Sequence, residues 1–312
     1  MMENNLNIIG NQQIQKQIIE LFIKKKLPQS LIFNGIQGIG KYTYAITLAK
    51  IILSYNITDI PSNIDNIFLN QDVCKSVDIN SCSNLLIIKP HYDEKSKSYK
   101  DIITIEEIRK INDFLHLTSI NNKYRIIIID ALDQLNINAS NALLKIIEEP
   151  PKNTIFLLIS HNINKILDTI LSRCFILKFN KLNSDELNHL ITLNNISLNE
   201  DNKKNYLQIC NGSFAKFLFL VNDDKNIYSS LINILNNKNT DLEVYNFINN
   251  LKISEYKNIN FLFDIIYTYL CNKECLSYKH QQTISKVSKF KNITTPLNLD
   301  KYSVLANILL SI

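Results

Sequence analysis

The 312 residues allow two or three domains, and the balance of 46% hydrophobic to 20% charged residues is that of a soluble globular protein. A net charge of +5 is small for this length; it permits contact with nucleic acid without arguing for it, because solvated lysines scattered over the surface are the ordinary explanation. No uninterrupted apolar run approaches the roughly 18 residues of a membrane span, and six scattered cysteines without a signal peptide point to a reduced, cytosolic compartment.

The spacing of Ile14, Ile18, Ile19, Leu21 and Phe22 predicts a helix over 11–26, ended by Pro28. Ser30 to Asn34 reads as a short buried strand that runs directly into Gly35-Ile36-Gln37-Gly38-Ile39-Gly40-Lys41-Tyr42. That stretch follows the phosphate-binding pattern G-x-x-x-x-G-K-S/T. Glycines let backbone N–H groups approach the phosphates, the lysine reaches the β/γ oxygens, and the last hydroxyl holds Mg²⁺. Gly35, Gly38, Gly40 and Lys41 are in place, but Tyr42 stands where the hydroxyl belongs, and Thr43 comes one residue late, rotated by roughly 100° on the following helix. Residues 42–53 continue as that helix, so the loop sits in the strand–loop–helix context the motif requires.

Residues 54–84 are polar, and short helical pieces within loop are expected there. A second strand covers 84–88, and a loop follows over 91–101. Thr104 and Glu107 have the spacing of a capping box, followed by an apolar helix face of Ile105, Ile108, Ile111, Phe114 and Leu115. Residues 125–129 read as a central parallel strand with Asp130 at its carboxyl end. Asp130 fits the position from which an acid supports Mg²⁺, although a strand-end Asp is also an ordinary cap. An active ATPase of this type places a water-orienting Glu next; here the residue is Ala131, and Asp133 is expected to point elsewhere. A helix over 137–149 ends at Pro150-Pro151, and strands follow at 154–159 and 175–179. Alternating strands and helices imply a mostly parallel α/β sheet. Beyond about 180 the pattern is helical, with boundaries near 180 and 223. Arg173, in Leu171-Ser172-Arg173-Cys174, suits either a surface ion pair or an arginine finger acting on a neighbouring subunit's γ-phosphate. Cys271 and Cys275 lie four residues apart and read as buried packing.

Asn138 to Pro151 resembles the A-x-N-A-L-L-K-x-L-E-E-P-P segment of bacterial clamp-loader subunits, and Ser172-Arg173-Cys174 is similar to their S-R-C motif. With its damaged phosphate loop and absent Glu, the chain resembles the delta-prime branch of this DNA polymerase III family. The resemblance implies an α/β AAA+ P-loop domain over 1–180, a small helical lid over 181–222 and an all-α collar over 223–312. It implies a hetero-pentameric ring with gamma/tau and delta subunits, reaching the sliding clamp and primed DNA through the assembly, with no membrane contact. Arg173 would act in trans, as an arginine finger on the adjacent ATPase. Gly35, Gly38, Gly40, Lys41, Thr43 and Asp130 would form a degenerate site that allows weak ATP or ADP binding, with no cofactor required. The alternative is a divergent gamma-like motor that recruits Thr43 for Mg²⁺; a stand-alone DNA-binding module has little support. Gly212 to Lys216 falls at the family's G-S-x-x-R sensor-2 element, with Lys216 in place of Arg. Ser160 and Asn162 both suit the sensor-1 position. Relatives carry a four-cysteine zinc knuckle where this chain has only Cys74 and Cys82, with His91 a poor third ligand, so neither zinc nor another metal is expected.

Overall fold

The computed structural model describes residues 8–90, 92–93, 98–99, 102–116, 123–222, 226–236, 241–253, 259–271, 278–292 and 300–311. The chain divides into two units, Met1–Asn194 and Asn195–Ile312.

The first unit runs α1 (Gln12–Ile23), β1 (Ser30–Asn34), α2 (Lys41–Leu53), α3 (Gln71–Asp78), β2 (Leu85–Ile88), β3 (Tyr92–Asp93), β4 (Ser98–Tyr99), α4 (Ile105–His116), β5 (Arg125–Ile129), α5 (Ile137–Glu148), β6 (Thr154–Ser160), α6 (Asp168–Leu171), β7 (Phe175–Lys178) and α7 (Ser184–Leu193). Five strands form one parallel sheet in the order β2-β5-β6-β1-β7. Ile126 to Ile129 are fully buried, as is most of β6. Helices cover both faces of such a sheet, so its central strands carry continuous rather than alternating apolar runs. The sheet order sets the carboxyl ends in a row. Ile88 is beside Ile129, Ile129 beside Leu158, and Ser160 beside Asn34. The residues just beyond, Lys89, Asp130, His161 and Gly35, therefore share one edge, where open α/β sheets place their ligands.

Two local features differ from expectation. Helix α1 stops at Ile23, well before Pro28, because Lys25 turns left-handed (φ 54°) and the N–H groups of Lys25 and Lys26 bond back to the carbonyls of Phe22 and Leu21. The expected loop over 91–101 contains the two-residue antiparallel pair β3 and β4; His91 itself lies outside the described residues. At the start of α4 the Thr104 side chain bonds Glu106, and Glu107 pairs with Lys110 at 2.8 Å.

The second unit is helical: α8 (Glu200–Cys210), α9 (Phe214–Val221), α10 (Ile227–Asn236), α11 (Asp241–Ile253), α12 (Ile259–Cys271), α13 (Tyr278–Asn292) and α14 (Lys301–Leu309). Ile209 of α8 and Leu220 of α9 join Leu231, Phe247 and Leu262 in one hydrophobic core. Cys271 is exposed rather than buried, and Cys275 lies outside the described residues. Among the described residues no helix is long and apolar enough to cross a membrane.

Candidate phosphate-binding site

The loop after β1 is shaped by its glycines. A Cβ on Gly35 would lie 2.5 Å from the Phe179 carbonyl oxygen, so only glycine lets the chain pass there. Gly38 and Gly40 adopt φ of 82° and 90°, the left-handed region that glycine enters without a Cβ penalty. Beneath the loop, the rings of Phe33, Tyr44 and Phe179 pack with centroids 5.1 to 5.6 Å apart. This aromatic support joins β1, α2 and the end of β7. Sequence reasoning missed it because the three residues are far apart in the chain.

Lys41 opens α2 and is only 3% exposed. Its Nζ donates to the carbonyls of Gly35 and Ile36, each at 2.6 Å. Burial lowers its pKa to about 8, against the opposing pull of Asp133 and then Asp130. Asp130 stands at the end of β5, its N–H donating to Ile88 O at 2.9 Å. Burial raises its pKa, opposed by the positive charges of Lys89 and Lys41.

Asp133 does not point away from the site. Ala131 turns left-handed (φ 70°) and a single 3₁₀ turn, Leu132–Gln134, carries Asp133 back toward Lys41. The carboxylate then accepts the His161 N–H at 2.8 Å. His161, which sequence reasoning passed over, lies half-buried near Lys41 and Asp133. Burial and the Lys41 charge depress its pKa to about 4, with Asp133 opposing, so it is neutral at physiological pH. Its Nδ1 and the buried Ser160 Oγ have no hydrogen-bond partner among the described residues. Asn162 is exposed and caps the next turn by accepting from Asn164 N. Of the two sensor-1 candidates, Ser160 is therefore the buried one with free hydrogen-bonding capacity.

A family Mg²⁺ site needs a short hydroxyl facing the acid at the end of β5. Here the Tyr42 ring lies under the Lys89 ammonium, Nζ to centroid 4.1 Å, and Thr43 is exposed to solvent. An ammonium near the acid and an aromatic face are not a divalent-cation donor set, so these residues do not fit Mg²⁺. Cys74 and Cys82 are half-buried free thiols, and two thiolates do not make a tetrahedral zinc site.

Arg173 follows α6 and is 39% exposed. Its Nη2 lies 2.8 Å from Glu148 Oε1 at the end of α5, and its Nη1 donates to Thr169 O at 2.9 Å. The guanidinium is thus oriented but open to solvent. Cys174 beside it is part-buried, and burial pushes its thiol up to about 11. In the second unit Ser213 caps α9, and Lys216 is ion-paired with Asp264 of α12.

Comparison with known proteins points to one family. The chain is 29% identical over 234 residues to the DNA polymerase III gamma subunit of Buchnera aphidicola subsp. Schizaphis graminum, covering 73% of this chain and 60% of that protein. It is 26% identical over 237 residues to the delta-prime subunit of the same organism, covering 72% of this chain and 66% of that one. The chain thus spans two thirds or less of the length of these curated relatives. A solved structure of a DNA polymerase III gamma subunit-related protein from Thermotoga maritima shares the fold, with a TM-score of 0.55 at 16% identity over 96% of this chain and 97% of that one. The architecture is accordingly an AAA+ P-loop α/β domain followed by a helical C-terminal region. Residues 10–183 match the family model described as DNA polymerase III, delta subunit, and the chain belongs to this clamp-loader family of DNA polymerase III.

Proposed function

We propose that the chain is the delta-prime subunit of a bacterial replicative clamp loader. It hydrolyses no ATP itself and presents Arg173 to the ATP site of an adjacent gamma/tau subunit. The observation that carries this reading is the contrast between its two sites. The phosphate loop has Tyr42 in place of the metal-binding hydroxyl and Ala131 in place of the water-orienting acid. Arg173, by contrast, is oriented by Glu148 and Thr169 yet still exposed. A guanidinium held in one direction on the surface suits charge stabilisation across a subunit boundary. On this reading Gly35, Gly38, Gly40, Lys41 and Asp130 hold ATP or ADP weakly, without turnover. The partners are gamma/tau and delta in a five-membered ring in the cytoplasm, acting on the sliding clamp and primed DNA. Residues 181–222 act as a lid and 223–312 as the collar.

The test is ATP hydrolysis by the chain alone and after mixing with gamma/tau and delta from the same organism. The chain alone is expected to be inactive. In the mixture, Arg173→Ala should lower turnover by about 10³-fold or more, the scale of an arginine finger. An unchanged rate would refute the role in trans.

The similarity to gamma subunits favours a second reading, a divergent motor with Thr43 recruited for Mg²⁺. Turnover by the isolated chain, abolished by Lys41→Ala, would establish it. The solvent-facing position of Thr43 and the methyl side chain of Ala131 count against it.

A further inference from the structure

The carboxyl edge of the sheet carries a basic group that the proposed function leaves unused. Lys89 follows β2, beside Asp130, and its ammonium rests 4.1 Å from the centroid of the Tyr42 ring. Tyr42 and Asp130 are the two residues that correspond to the metal ligands of a working P-loop. A protein cation therefore stands over one of these positions and acts on the other by its charge. A second cation there would be repelled, since like charges a few ångströms apart interact unfavourably.

We propose that Lys89 replaces the metal in this site, so that the loop binds the polyphosphate of a nucleotide as a metal-free anion between the ammonium groups of Lys41 and Lys89. The inference rests on the reading of a retained, non-hydrolysing nucleotide site and deepens it. Lys41 opens the helix after the loop and Lys89 follows β2 at the same edge; the charge of Asp130 interacts with both, and Asp133 acts on Lys41 as well. The Tyr42 ring holds the Lys89 ammonium by a cation–π contact and so limits the freedom of an otherwise exposed side chain. Ser160 Oγ and His161 Nδ1, both buried and without a partner among the described residues, lie at the same edge and have hydrogen-bonding capacity for a polar ligand. The free polyanion gains two ammonium partners in this arrangement. The magnesium complex has already lost much of that charge, and it meets the Asp130 and Asp133 carboxylates without the short hydroxyl that completes a P-loop metal site and with the Lys89 ammonium at the same edge. Magnesium should therefore compete for the nucleotide rather than assist its binding.

The experiment is a titration of the intact chain with N-methylanthraniloyl-ADP, followed by fluorescence, in EDTA and in excess MgCl₂ at equal ionic strength. Affinity in EDTA is expected to equal or exceed that in MgCl₂. Lys89→Met should weaken binding in EDTA by about tenfold or more, the scale of one lost charge-assisted contact, and Lys89→Arg should restore most of it. Because Lys89 is exposed, neither variant threatens the fold. Binding that requires Mg²⁺, or Lys89→Met binding as well as the wild type, would overturn the proposal and leave a retained nucleotide site standing. Absence of binding in both buffers would overturn both, while the Arg173 role is tested separately by the turnover of the assembly.

Discussion

Lys41 shows how much of a site's character depends on burial rather than residue type. Its ammonium is enclosed by its own loop and stabilised by Asp133 and Asp130, yet desolvation still lowers its pKa from 10.5 to about 8. The unfolded chain therefore holds this proton between about pH 8 and 10.5 while the folded chain has lost it. Linkage then makes this group's contribution to stability rise with pH across that window, because the cost of burying a charge is relieved. A ¹⁵N NMR titration of the lysine ammonium groups should find one midpoint near 8, and Asp133→Asn should move it lower. A midpoint above 10 would show that the ammonium is solvated. The sequence pointed to Lys41 and Asp130 through their motifs. It did not reveal Asp133 as a partner, because a left-handed turn at a non-glycine residue, costing roughly 1–2 kcal/mol, is not written in the identity of Ala131. His161 and Lys89 carry no motif at all and become neighbours of the site only through strand order.

Among the elements, α11 illustrates what the apolar pattern of a helix leaves open. Residues 241–253 contain apolar side chains on more than one face. Val244, Phe247, Ile248 and Leu251 are buried, whereas Leu242, Tyr245 and Ile253 are exposed at 66%, 63% and 81%. Periodicity identified the helix but could not assign those faces. Phe247→Ala should cost about 3–5 kcal/mol in chemical denaturation, the usual penalty for an aromatic cavity, while Tyr245→Ser should stay within about 0.5 kcal/mol. Equal effects would mean that the helix packs on a different face. The central strands raise no such ambiguity. A run of four isoleucines too short for a helix and buried on both faces has one reasonable place, the interior of a parallel sheet. Helix ends were less legible, as α1 shows, because a lysine in the left-handed conformation stops a helix with no sequence signal as clear as Pro28.

At the scale of the whole molecule the chain has two units, each with its own core. In the second, the Lys216 ammonium pairs with Asp264 inside that unit. The pair is about a quarter exposed, so its loss should cost about 1–3 kcal/mol, between a surface bridge and a fully buried one. Asp264→Ala should accordingly speed amide hydrogen exchange in α9 and α12 and leave β5 and β6 unchanged. Faster exchange throughout both units would show that the two units unfold together.

The order of strands and helices, the glycine loop and the family motifs are local in the chain, so the sequence by itself determined the α/β frame and marked the glycine loop and Arg173 as candidates. Each rests on periodicity or on residues within a few positions of one another. Tertiary structure alone decided which charges surround Lys41, that Lys89 stands over Tyr42, and that Glu148 orients Arg173. Those contacts join residues tens of positions apart in sequence, brought together by parallel strand pairing and by turns whose backbone angles no residue type dictates.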